Sequence, residues 1–429
     1  MNRPRYSPPS CTLLRKLVTG FLLMFLTSLG YGYPIDAYEE TGIRRLDYYR
    51  AAQTGEIEGK KLFEGAMLKS ADVIPRLTGQ SSELPPVNTD ISRQLARLIP
   101  SEPERYSIAV LDLSDQANPI YAEHNGGYRD NVGSVGKVLV ALALLTKLRD
   151  IYPDDIDRRK EVLRTTQVVA DEFSVKDHHK VRLWDVAAQK LEQRSLKIGD
   201  SGNLYEYLDW AISPSSNAAA AMIQRELLLL SHFGTEYPVS QQRSDDFLNN
   251  TKKAELGKIF REAMDAPLIE LGIDTEKLRQ GSLFTRTGKA RVPGTSSYGN
   301  PRQLIKLLYK METGELIDPF TSTEMKRLLY LTERRIRYAS HPNLHPYAVY
   351  FKTGSLYSCK PEDGFTCGKY MGNRRNILAS LAIVEAPAEN PEYHYLVVVQ
   401  SNVLRVNSAV AHQTLAARIH KLIVAQHAN

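Results

Sequence analysis

The chain has 429 residues, enough for one large domain or two moderate ones, and its 42% of apolar residues excludes wholesale disorder. Its 55 basic and 49 acidic side chains leave a net charge of +6. They are interspersed rather than clustered, which argues against the concentrated basic face of a nucleic-acid binder.

The N-terminus has the pattern of an export signal. Arg3, Arg5, Arg15 and Lys16 precede a short apolar stretch over residues 17–29, and the small residues Gly30 and Gly32 offer a cleavage region. The stretch is shorter than the ~20 residues of a membrane span, so membrane attachment is expected only if the segment stays uncleaved. Residues 1–32 are accordingly read as a signal peptide and 33–87 as an N-terminal extension without a chemical motif.

Asn88 or Thr89 caps a predicted helix that ends before Pro100. Two predicted strands follow, over 106–113 and 119–123, joined by a turn at 115–118. From Ser134 the character becomes helical. Apolar runs recur at 138–148, 204–212, 218–230, 259–271 and 304–311, separated by Gly, Pro and Ser clusters such as 286–301. Three β-branched or aromatic runs, 347–356, 377–385 and 393–401, predict strands, and an amphipathic helix over 410–425 closes the chain. The expected fold is α+β: an antiparallel five-stranded sheet flanked by terminal helices, with a large all-helical insertion. In domain terms, 88–133 with 341–429 form a sheet subdomain and 134–340 a helical one, with the catalytic cleft between them.

Three short motifs carry the chemistry. Ser134-Val135-Gly136-Lys137 sets a hydroxyl and an amine three residues apart at a helix start, where they share a face with Cβ atoms about 5–6 Å apart. Serine is a poor nucleophile until a base takes its proton, and a lysine is that base only when burial or a neighbouring cation keeps it neutral. Ser215-Ser216-Asn217 precedes an Ala-rich helix; it suits a proton relay and a substrate-amide contact, or simply a helix cap. Lys352-Thr353-Gly354-Ser355 lies inside a predicted strand. Its lysine and hydroxyls suit a carboxylate, and its interior glycine marks a close approach, although an edge lysine alone would also explain it.

Together the S-x-x-K, S-x-N and K-T-G motifs resemble those of the serine β-lactamases and penicillin-binding proteins. The order of strands and helices, from about Thr89 to the C-terminus, is similar to that of class A β-lactamases. The resemblance implies Ser134 as the acylated residue, Lys137 as its base and Ser215 as proton relay. It implies Asn217, Lys352, Thr353, Gly354 and Ser355 as the substrate-binding set, with the Ser134 and Ser355 amides as oxyanion hole. It implies no cofactor and no metal, and a β-lactam or cell-wall peptide as substrate.

The sequence departs from that family in two places. The middle motif is Ser-Ser-Asn rather than Ser-Asp-Asn. In addition, residues 281–294, where a water-activating glutamate is expected before the helix start at Ser297, contain no Asp or Glu. Asp245 and Glu276 are remote substitutes for it. The reading is therefore an exported, periplasmic or otherwise extracytoplasmic serine hydrolase, β-lactamase-like and related to class A. Its alternatives are a penicillin-binding, DD-peptidase-like enzyme with slow deacylation, an esterase, and a non-catalytic cell-wall scaffold. Arg405, after the last predicted strand, is a candidate carboxylate ligand. Cys359 and Cys367 flank the turn-forming Asp363 and Gly364, a spacing that suits a bridged hairpin in an oxidising compartment.

Overall fold

A computed structural model describes residues 36–333 and 335–428; the expected export signal lies outside the described residues. In chain order the first elements are α1 (Tyr38–Thr41), α2 (Arg44–Thr54) and α3 (Thr89–Arg97), then β1 (Tyr106–Asp112) and β2 (Ile120–His124). The Asn88 side chain caps α3 by accepting from the Asp90 and Ile91 amides, as its sequence position predicts. The middle of the chain holds α4 (Gly136–Ile151), α5 (Ile156–Thr165), β3 (Gln167–Val169), β4 (Val181–Asp185), β5 (Lys190–Arg194), β6 (Ser201–Asn203), α6 (Leu204–Ile212) and α7 (Asn217–Phe233). It continues through α8 (Gln241–Asn250), α9 (Lys253–Glu270), α10 (Arg286–Arg291), α11 (Pro301–Glu312) and α12 (Pro319–Tyr330). The chain ends with β7 (Ala348–Ser358), β8 (Arg375–Ala386), β9 (Tyr393–Asn402) and α13 (Ser408–His427).

Five strands form one antiparallel sheet in the order β2-β1-β9-β8-β7. Both faces are covered, so the strands read as continuous apolar runs rather than an alternation. Ala109, Leu111, Leu396 and Val398 face one core, against the helical block. Their neighbours Ile108, Val110, Val397 and Val399 face the other, against Leu415 and Ile419 of α13 and Leu95 of α3. α4 is buried almost all round, and its apolar sequence from Val138 to Leu145 matches that position. Among the described residues no helix is long and apolar enough to cross a membrane.

Two features of the middle block differ from the sequence expectation of an all-helical insertion. β3 pairs with β6, and β4 with β5, as small two-stranded antiparallel sheets. Both are short, and the β4–β5 turn carries the helix-forming pair Ala187-Ala188, which hides the hairpin from a pattern reading.

Residues 36–87 are packed into the protein. Ile43, Leu46, Val73 and Leu77 belong to the same core as α4 and α7. Arg45 is fully buried; its guanidinium holds both carboxylate oxygens of Asp209 on α6 at 2.5 Å and donates to the Leu331 carbonyl. Removing one partner of such a pair strands the other charge at a cost of about 3–5 kcal/mol. The Trp184 indole on β4 donates to Asp47 of α2 at 2.9 Å.

Candidate active site

Val132 leads into a 3-10 turn at Gly133–Val135 that runs directly into α4. Gly133 sits at φ 53, a conformation that costs glycine little, and its amide donates to the Asn131 side chain at 2.8 Å. Ser134 thus stands at the entrance of α4, half-buried, with Lys137 one turn on and 1% exposed.

The Lys137 amine has four oxygen neighbours: Ser134 Oγ at 3.2 Å, the Ser215 carbonyl at 2.5 Å, Ser215 Oγ at 3.3 Å and Asn217 Oδ1 at 2.8 Å. A carbonyl and an amide oxygen can only accept, so they take up the two N–H bonds of a neutral amine. The lone pair is then left for a hydroxyl proton. Burial pushes the Lys137 pKa down to about 7; Asp177 opposes the shift and Arg337 adds to it.

Ser215 sits at φ 64, an uncommon conformation for a residue with a Cβ, with a typical strain of about 1–3 kcal/mol. Its hydroxyl lies between two amines, 3.3 Å from Lys137 and 2.7 Å from Lys352. Lys352 is 3% exposed, and burial, then Lys137, then Arg337 push its pKa well below the ordinary lysine value. Among the described residues no carboxylate pairs with either lysine.

Gly354 explains itself at close range. A side-chain carbon there would come within 2.4 Å of the Ser134 amide nitrogen and 2.3 Å of the Val132 carbonyl. Only glycine lets edge strand β7 lie this close to the Ser134 turn. The Ser355 amide is part of the same contact, since a carbon on Gly133 would meet it at 3.3 Å. The amides of Ser134 and Ser355 therefore both lie at this crossing of the two backbones.

The structure therefore gathers Ser134, Lys137, Ser215, Asn217, Lys352, Thr353, Gly354 and Ser355 at one place, between β7 and the N-termini of α4 and α7. Three further residues join them that the sequence did not single out. Arg337, on the turn before β7, donates to Thr353 Oγ1, to Ser355 Oγ at 3.2 Å and to the Tyr370 hydroxyl at 3.1 Å. Its guanidinium also lies 4.7 Å from the Tyr370 ring centre. Asp177 is the third, in the loop before β4. Its Oδ2 accepts from Ser216 Oγ at 2.8 Å and from the Asn217 and Ala218 amides at 2.7 and 3.0 Å. Its Oδ1 meets His179 Nδ1 at 2.7 Å. The Ser-Ser-Asn departure was the available signal, because a motif lacking its carboxylate invites a search for one elsewhere.

Other candidates lie apart from this set. Arg405, a candidate carboxylate ligand, is exposed and bound to half-buried Glu362 at 2.6 and 2.9 Å; Arg337 stands beside Thr353 and Ser355 instead. Asp245 is exposed on α8 and bonded to Gln241, and Glu276 is exposed beside Arg279. From the segment around 280–294, Phe284 and Gln280 reach the Ser134–Lys137 turn. The Phe284 ring centre lies 4.8 Å from the Lys137 amine, and the Gln280 carboxamide packs against Gly136. Cys359 and Cys367 form a disulfide across the Glu362–Phe365 turn, and Tyr370 follows that loop.

No protein-family model matches the sequence, and no curated protein does. Among solved structures, the chain is similar in fold to PBP-A, with a TM-score of 0.49 and 13% identity over 79% of this chain and all of that one. It is similar to a β-lactamase from Chitinophaga pinensis at a TM-score of 0.47 and 17% identity, covering 79% of this chain and 98% of that one. It is also similar to a class A β-lactamase described as the last common ancestor of Gram-negative bacteria, at 0.49 and 19%, covering 79% of this chain and all of that one.

Proposed function

We propose that the chain is a serine hydrolase that forms an acyl-enzyme through Ser134 with a β-lactam or a related cell-wall peptide, and that it acylates readily but deacylates slowly. The observation that carries this reading is the Lys137 amine: buried, bonded to the Ser134 hydroxyl, and with its pKa brought down to about 7, so that a large share of it is unprotonated at neutral pH.

The residues then act in sequence. Ser134 Oγ attacks the acyl carbon as its proton passes to Lys137 Nζ. The negative charge that develops on the carbonyl oxygen meets the Ser134 and Ser355 amides. Ser215 Oγ hands a proton to the departing nitrogen and is resupplied from the lysine side. Asn217 spends its oxygen on Lys137, which leaves its N–H bonds for a substrate carbonyl. Thr353, Ser355 and Arg337, with Lys352 behind them, receive a substrate carboxylate, for which an Arg offers two-pronged hydrogen bonding.

Slow deacylation is supported by what reaches the site from the segment around 280–294. Neither a phenyl ring nor a carboxamide can take a proton from water. Placement outside the reducing cytosol is supported by the export-like pattern of residues 1–32 and the Cys359–Cys367 bridge.

Time-resolved intact mass spectrometry with a penicillin tests the reading. The expected result is a long-lived adduct of penicillin mass that maps to Ser134 and is absent from Ser134→Ala. Undiminished labelling of that variant, or no labelling of the wild type, would overturn the acyl-enzyme reading. Rapid drug turnover through a transient adduct would overturn only the slow step.

A further inference from the structure

Asp177 lies far from every motif in sequence, yet its carboxylate is at the centre of the site's hydrogen bonding. Three donors of the Ser215-Ser216-Asn217 turn and of the first turn of α7 converge on one of its oxygens, and His179 binds the other. The same turn provides Lys137 with three of its four partners, the Ser215 carbonyl, the Ser215 hydroxyl and Asn217 Oδ1. It also contains Ser215 in its left-handed conformation, which needs restraint from its neighbours.

We propose that Asp177 is a positioning residue for the Lys137–Ser215 relay, supplying from a separate loop the carboxylate that the Ser-Ser-Asn motif lacks. It pins the turn that aims two acceptors at the Lys137 amine, and it sets one negative charge against a cationic site.

Lys137 on α4 faces Lys352 from β7 and Arg337 from the turn before β7, with His178 and His179 beside Asp177 on its own loop. Asp177 is the acidic group acting on Lys137 and favours its protonated form, the form produced when the Ser134 proton is taken. The carboxylate is itself firmly ionised. Burial alone would raise its pKa, but His179, the Ala218 amide and the Ser216 hydroxyl hold it well below the usual range. A carboxylate at a helix N-terminus gains further from the helix dipole.

This inference rests on the acyl-enzyme reading for its consequence but not for its test. The first measurement follows the Lys137 ε-carbon by NMR in the lysine-labelled full chain, assigned by its loss in Lys137→Ala. In Asp177→Asn, which is nearly isosteric, the Lys137 pKa should fall. In the double variant Asp177→Ser with Ser216→Asp, which moves the carboxylate onto the helix cap, it should return towards the wild-type value. The second measurement is capture of a fluorescent penicillin from pH 5 to 9. For Asp177→Asn the acidic limb should move to lower pH, and for Asp177→Ala the plateau rate should fall by about tenfold or more. The double variant should recover most of that loss.

An unchanged Lys137 titration in Asp177→Asn overturns the proposal. So does a plateau loss accompanied by a lower melting temperature with the acidic limb unmoved, which is the signature of a purely structural residue. A wild-type chain that titrates as described but captures no penicillin leaves Asp177 in place and removes the acyl-enzyme reading.

Discussion

Lys137 and Lys326 are both buried lysines, and their surroundings could hardly differ more. Lys326, on α12, is fully enclosed and meets two carboxylates, Glu312 at 2.8 Å and Glu385 at 2.6 Å, with the Ile74 carbonyl as a third partner. Burial would raise the Glu312 pKa, but the charges of Lys326 and His394 and their hydrogen bonds bring it below the ordinary carboxylate value. Among the described residues, the hydrogen-bond partners of Lys137 are hydroxyls, a carbonyl and an amide. Burial therefore does not by itself turn a lysine into a base. The partners decide whether the charge is kept for structure or given up for chemistry.

The largest effects come from deleting each amine. Lys137→Ala should slow penicillin capture by roughly 10²–10⁴-fold, the usual scale of a lost general base, with little loss of melting temperature. Lys326→Ala should instead cost about 3–5 kcal/mol in denaturant unfolding, because it removes the buried charge that Glu312 and Glu385 share and leaves them only Arg76, Tyr350 and His394. Capture per folded molecule should be retained. Equal damage to both properties in both variants would erase the distinction.

pH separates the same two lysines. The capture rate should climb as pH rises through about 7, where Lys137 loses its proton. The Lys326 network contributes stability through carboxylates whose folded pKa values are lowered. That stability is complete above the unfolded carboxylate value of about 4.3 and is lost as pH falls through the folded values. A capture profile and an acid-unfolding profile with the same midpoint would contradict this.

Arg337 has a smaller expected effect. Arg337→Ala removes a charged donor from beside Thr353 and Ser355, so capture of penicillin should weaken by roughly tenfold to a hundredfold. An analogue lacking the carboxylate should lose much less. Equal losses for both compounds would move Arg337 out of the binding role.

How much of this could be read from the sequence follows from how local each signal is. Ser134 with Lys137, the Ser215 turn and the Lys352 strand are short patterns whose spacing fixes their geometry; the last three strands show as β-branched or aromatic runs and the first two as strand-like runs around a turn. Arg337 and Asp177 act through tertiary contacts alone. Arg337 sits at φ 54 in a turn without periodicity, and Asp177 is one charge among several in a mixed loop. The 36–87 segment was opaque for a similar reason. Arg45 looks like any surface arginine until Asp209 is seen to enclose it.

The close approach at Gly354 has a consequence for how the protein could be assayed. Ser134 belongs to the first third of the chain and Ser355 to the last part, and their amides become neighbours only once β7 has docked as the final edge of the sheet. A contact of such long sequence range carries the entropy cost of closing a large loop and is absent from a chain whose sheet is incomplete. Covalent capture would therefore count finished molecules: a preparation holding misassembled species would show normal helix content and substoichiometric labelling, making the proposed reaction a gauge of completed folding.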